Sequence, residues 1–146
     1  MKHFIVEGSE AVVIAKSRDR VIQQFEDMEH HNIHQVHPGI HWQVLEEEAG
    51  VRTIRVGNKT ARLYWEANAL LLHILSGPGK GGTLYHRFEA KGPSDTQVVM
   101  SFEIPIPSWL RLLAPLVRRA IIRDIQKGLA EDKRDLETLG YPRKKA

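Results

Sequence analysis

The chain has 146 residues, 42% hydrophobic and 27% charged, which is the size and balance of one globular domain able to fold without a disulfide or metal staple. It contains no cysteine, which excludes disulfides, thiolate metal sites and cysteine nucleophiles and fits a reducing, cytoplasmic compartment. The formal charge is only +3, no stretch approaches a membrane span, and Glu7 and Glu10 interrupt the opening residues before a signal-peptide core can develop.

In chain order, a first strand is expected from about Ser9 to Lys16, where Val12, Val13 and Ile14 form a β-branched run. Ser17 can then cap a helix, Asp19 suits its positive N-terminus, and Val21, Ile22 and Phe25 recur at helical spacing to about Asp27. A second short helix is expected over Glu29 to Val36, stopped by Pro38 and Gly39.

From Ile40 to Ile104 the pattern predicts six strands, near 40–47, 51–57, 60–68, 70–76, 82–90 and 96–104. Glu48-Ala49-Gly50, Gly57-Asn58-Lys59, Gly77 to Gly82 and Gly92 to Asp95 supply the turns, so the strands form an antiparallel meander. Alternation then sorts the faces. Leu63 and Trp65 oppose Arg62 and Tyr64; Leu84, His86 and Phe88 oppose Tyr85 and Arg87; Val98, Met100 and Phe102 oppose Gln97 and Ser101.

After Pro105 and Pro107, Ser108 can cap the short apolar turn WLRLL, and Pro115 is placed to open a long helix running to about Leu139. Its apolar stripe is Val117, Ile121, Ile122, Ile125, Leu129, Leu136 and Leu139, and Gly140 with Pro142 ends it. Residues 141–146 read as a flexible basic tail, so the chain is one domain, 1–146. The sequence GPGKGG at 77–82 contains a G-x-G-x-x-G spacing, but it leads into a strand instead of a helix and is a turn.

A strand, two short helices, a six-strand meander and one long C-terminal helix is similar to the element order of the START and polyketide-cyclase superfamily, which includes the birch-pollen-allergen-like proteins. The opening VVIAKSRDRVIQQFEDMEHH resembles that superfamily's strand and helix with an aspartate near the helix end, here Asp27. The resemblance implies an α+β helix-grip fold: a curved antiparallel sheet of about seven strands around the long C-terminal helix, with two short helices after the first strand. It also implies an apolar cavity between sheet and helix. Family members bind lipids, sterols, polyketides or other aromatic molecules there, some as carriers and some as enzymes.

The expected lining is Trp42, Leu63, Trp65, Leu84, His86, Phe88, Met100, Phe102, Ile125 and Gly128, the last leaving room for a ligand. Asp132 falls on the same helix stripe as Ile125 and Leu136. His86, between Leu84 and Phe88, either orients a ligand or bonds a neighbouring side chain.

Five of the eight histidines, His30, His31, His34, His37 and His41, crowd into HHNIHQVHPGIH. If 27–37 is helical, Asp27, His30, His34 and His37 share a face and form a candidate transition-metal site for iron or zinc. The alternatives are a set of exposed or capping histidines around a Pro-Gly turn, or a neutral histidine acting as acid or base.

Two functions follow. One is binding, and potentially transfer, of a hydrophobic small molecule or lipid, with peripheral membrane contact through Trp109, Leu112 and Arg118. The other is a cyclase, dehydratase or hydrolase using His86 or His34 as acid or base, or a metal-dependent enzyme using Asp27, His30 and His34. The basic residues of the last third read as a solvated helix face or a contact for anionic lipid, and nucleic acid is not favoured as a partner.

Overall fold

The computed structural model describes residues 2–143. Strand β1 (His3–Ile14) is followed by helices α1 (Arg18–Glu26) and α2 (Met28–Ile33). The meander is β2 (Trp42–Glu48), β3 (Val51–Val56), β4 (Lys59–Glu66), β5 (Ala69–Ser76), β6 (Thr83–Gly92) and β7 (Asp95–Pro107). A 3-10 turn (Ser108–Leu113) leads into α3 (Ala114–Arg134), and a π turn (Asp135–Leu139) finishes it. This is the helix-grip arrangement: one seven-stranded antiparallel sheet, in the order β1-β7-β6-β5-β4-β3-β2, with the long helix across it.

Local chemistry accounts for most of the boundaries. Ser17 caps α1, its hydroxyl accepting from the Arg20 N–H at 3.3 Å, and Asp27 caps α2 by accepting from His30 N–H at 3.0 Å. Gly77 takes φ +86 in the β5–β6 turn, and a side chain there would lie 2.5 Å from the Asn58 carbonyl oxygen. Only glycine meets both demands.

Two strand boundaries move by three residues or more. Strand β1 begins at His3, six residues before Ser9, because its whole length pairs with β7 from His3↔Pro107 to Ile14↔Thr96. Strand β7 correspondingly runs through Pro105 to Pro107, where pairing with β6 has already ended at Glu103 and a missing N–H costs no second ladder bond. Ser108 makes no side-chain capping bond.

The core lies between the inner sheet face and the helices. Val6, Ile14, Ile54, Ala61, Leu72, Ile74, Val98 and Phe102 from the sheet meet Val21, Ile125, Leu129 and Leu136 from the helices. Leu139, expected on the buried stripe, is 47% exposed because the π turn rotates it outward. Of the segment expected as a basic tail, Tyr141 and Arg143 turn back onto the helices; Lys144 and Lys145 lie outside the described residues.

Candidate functional site

Two regions between sheet and helices carry chemistry. The first is the inner face of β6 and β7. Both strands lie inside the sheet, yet Leu84, His86 and Met100 keep accessible surface while their neighbours Phe88 (4% exposed) and Phe102 (1%) do not. On the opposing helix, Val117, Ile121 and Ile122 are likewise only partly buried. The backbone of α3 packs closely along β1 and approaches β3 to β6 far less, so side chains alone span the gap there.

His86 sits deep in this region. Its Nδ1 lies 3.2 Å from the Leu70 carbonyl oxygen, which only accepts, so Nδ1 carries the hydrogen. Nε2 then offers a lone pair, and it has no protein partner among the described residues. Burial holds the imidazole below its ordinary pKa, against the opposing pull of the Leu70 hydrogen bond and the Asp132 charge. The ring meets Phe25 edge-on, with centroids 6.1 Å apart.

The other expected lining residues divide. Leu63, Phe88, Phe102 and Ile125 are filled core, each under 9% exposed. Trp65 is 38% exposed at the end of β4, its indole N–H donating to Glu26 Oε1 at 2.8 Å. Trp42 exchanges backbone hydrogen bonds with the Asn32 side chain, and its buried indole N–H has no partner among the described residues. At Gly128 an added Cβ would meet only His37 Cε1, at 3.9 Å. One open hollow on the outer sheet face is lined by Glu46, Thr53, Arg62, Tyr64 and His73, and another by Arg18, Leu71, Tyr85, Arg87 and Phe88; neither includes His86 or α3.

The second region is a buried polar network joining α1 and α2 to the end of α3. The single face expected over 27–37 does not form, because α2 stops at Ile33 and Gln35 takes φ 48, which reverses the chain. Asp27, His30, His34 and His37 are therefore not gathered around one point. Asp27 bonds the Tyr141 hydroxyl at 2.6 Å, and His30 Nε2 lies 2.6 Å from Asp135 Oδ2. Arg143 also pairs with Asp135. His34 packs its ring against His30, with centroids 4.9 Å apart, and has no contact with His86. Burial and then the Arg143 charge hold its pKa below the ordinary value.

His37 is carried to the other side, beside His31 and Asp132. His31 Nε2 lies 3.1 Å and His37 Nε2 3.3 Å from Asp132 Oδ1, while Gln24 donates to the same oxygen at 3.1 Å. Burial alone would raise the Asp132 carboxyl; hydrogen bonds from His31 and His37 overcome it and bring the pKa to about 2. Burial would lower His37, but Asp132 and Glu131 push it up to about 9. Asp27 is likewise lowered against its burial, chiefly by the Tyr141 hydroxyl, whose own pKa rises through burial and that same bond. Among the described residues, His31, His37 and Asp132 are the donor set close enough to share one ion. The sequence places Asp132 on the buried stripe, but its partners stand 95 and 101 residues away, beyond any local pattern.

No protein-family model matches the sequence, and no curated protein matches it. Solved structures do match in fold. The Zhui aromatase/cyclase from Streptomyces sp. R1128 superposes with a TM-score of 0.71 at 18% identity, covering 94% of this chain and 99% of that one. A START superfamily protein from Mycobacterium smegmatis gives a TM-score of 0.71 at 17% identity over the same shares. Norcoclaurine synthase from Thalictrum flavum, in complex with dopamine and hydroxybenzaldehyde, gives 0.65 at 11% identity over 93% of this chain and 89% of that one. The chain thus has the START-like helix-grip fold. No described helix is long and apolar enough to cross a membrane.

Proposed function

We propose that the protein binds an apolar, ring-containing small molecule or lipid between the inner face of β6–β7 and α3, with His86 as its polar anchor. The observation that carries this reading is the accessible surface left on Leu84, His86 and Met100 in the interior of the sheet, opposite the half-buried Val117, Ile121 and Ile122. A pocket of this kind gains affinity from apolar area and orientation from a few polar groups. His86 suits that role because its Nε2 lone pair accepts from a ligand hydroxyl or amine. The aromatic compounds held by norcoclaurine synthase, which shares the fold, agree with a ligand of this class.

Cargo exchange at a membrane surface would use the 3-10 turn. Trp109 is 77% and Leu112 85% exposed, with Arg111 and Arg119 exposed beside them. Arg118 is partly committed, its Nε donating to the Glu7 carbonyl at 3.0 Å. Cysteine-free composition supports a cytoplasmic setting.

A second reading gives His86 a chemical role, since a neutral imidazole with an unpartnered Nε2 is a competent general base. Native mass spectrometry of the purified protein, beside titration with an apolar fluorescent probe, separates these outcomes. The binding reading expects one bound apolar molecule, and loss of probe binding when Met100→Trp fills the space in a protein that still melts cooperatively. Probe binding unchanged by Met100→Trp would sink it. Turnover of a bound compound that disappears in His86→Gln, with binding retained, would establish the catalytic reading.

A further inference from the structure

The binding proposed above would account for His86 but not for the three donors His31, His37 and Asp132, whose cluster stands on its own geometry. We propose that His31, His37 and Asp132 bind a single divalent first-row transition ion, with open coordination positions toward the space beside Gly128.

The argument begins with the outer nitrogens. His31 Nδ1 lies 2.8 Å from the Asp27 carbonyl oxygen, and His37 Nδ1 lies 3.0 Å from Glu131 Oε1. Both partners accept, as does Asp132 Oδ1 at each Nε2, so a ring that gives up its Nε2 proton keeps the hydrogen on Nδ1 and turns a lone pair inward. That is how metal-binding histidines are held: the outer N–H is fixed by a carbonyl or carboxylate, and the inner lone pair faces the ion. Both Nε2 atoms converge on Asp132 Oδ1, at 3.1 and 3.3 Å.

Those separations have the right size. Metal–ligand bonds of about 2.0–2.2 Å, at the angles of tetrahedral or octahedral geometry, set neighbouring donor atoms roughly 3.0–3.4 Å apart. One donor atom from each of the three residues lies within 4.8 Å of the others. An ion would displace the Nε2 protons now facing Oδ1 into solvent, leaving neutral imidazoles that keep their Nδ1 hydrogens. Two imidazoles and one carboxylate favour iron, cobalt, nickel or zinc over magnesium or calcium, which prefer all-oxygen shells.

Two further features fit a site with room for a ligand. Gly128 stands one turn before Asp132 inside a 21-residue helix, where glycine costs about 1 kcal/mol relative to alanine. A Cβ there would touch only His37 Cε1, at 3.9 Å, so glycine leaves the approach to His37 clear. On the sheet side, Trp42 meets His31 edge-on with centroids 6.5 Å apart and buries an indole N–H that no described residue accepts. That N–H is free to donate to an oxygen ligand.

The test uses the full chain, dialysed against a chelator and titrated with Co(II) by visible absorption and with Zn(II) by calorimetry. The expected result is saturation at one equivalent, a ligand-field band for Co(II), and its loss when Zn(II) displaces the cobalt. His31→Gln and His37→Gln should abolish the band, and Glu131→Gln, which removes the negative charge behind His37 Nδ1, should weaken affinity by about 10-fold. His34→Ala and His41→Ala should leave affinity within about twofold, because neither side chain belongs to the donor set. Far-UV circular dichroism and a metal-free melt check that each variant folds; if His37→Gln does not, Glu131→Gln carries the decision alone. Absence of saturable binding, or equal loss in His34→Ala and His41→Ala, would overturn the proposal and leave the cluster an ion-pair network.

Discussion

The inner face of β6–β7 and the network between α2 and α3 are neighbours built on opposite principles. On the sheet, free energy comes from removing apolar area from water, which has no direction, so alternate side chains of about the right size suffice. In the network, almost every contact is directional and charged: Asp132 and Asp135 are 4% and 1% exposed and depend on His30, His31, His37, Gln24 and Arg143. Loss in the first region is graded by how fully each side chain is buried, while in the second it follows from stripping one shared partner.

Substitution at the centre of each region tests that difference. Asp132→Ala strips the shared acceptor from His31, His37 and Gln24 and should destabilise the metal-free protein by about 3–5 kcal/mol in urea unfolding. Phe102→Ala, in the filled part of the core, should cost a similar ~3–5 kcal/mol. Leu84→Ala, beside the space, should cost less than the ~2 kcal/mol at the low end for buried leucines, since its surface is already partly wet. A loss at Leu84 as large as at Phe102 would mean that the face is filled and the contrast false.

Coupling sharpens the point at lower amplitude. A double-mutant cycle of Asp132→Asn with His31→Gln should give an interaction energy of about 0.5–3 kcal/mol, because the two share one hydrogen bond. The pair Leu84→Ala and Ile14→Val should add within about 0.5 kcal/mol if the two sites are independent. Additivity in the first pair would remove the case for a cooperative network.

Sequence reasoning reached these two regions unequally, for the same physical reason. Alternation with period two placed Leu63, Phe88, Val98 and Phe102 inside, and helical periodicity placed Ile125, Leu129 and Leu136 against them. Such patterns are local, and tertiary structure only has to respect them. The histidine segment marked itself by composition, but its geometry depended on Gln35 adopting φ 48, which ended the helix that would have aligned His30, His34 and His37. Asp132 stood out on the apolar stripe without its partners being named, since pairing across 95–111 residues leaves no spacing to read. The early start of β1 was missed because Glu7 and Gly8 interrupt the apolar run, whereas continuous pairing with β7 carries the strand through them.

The smallest expected effect concerns His86, the one titratable side chain on the apolar face that the proposed binding uses. Its folded pKa lies below the ordinary 6.5, chiefly because burial disfavours the charged ring. The unfolded chain therefore takes up a proton at a pH where the folded protein does not, and stability falls as pH drops from about 6.5 toward the folded pKa. Above 6.5 the contribution is constant. In His86→Gln this component should vanish, so the difference in unfolding free energy between wild type and variant should be flat above neutrality and narrow in favour of the variant below it. Apolar-probe affinity should hold to lower pH and fall only below the folded pKa if the neutral ring holds the ligand, because the folded ring is still neutral above it. A wild type that gained stability relative to His86→Gln on acidification would mean that the imidazole is charged inside the fold, and would make this face resemble the network beside it.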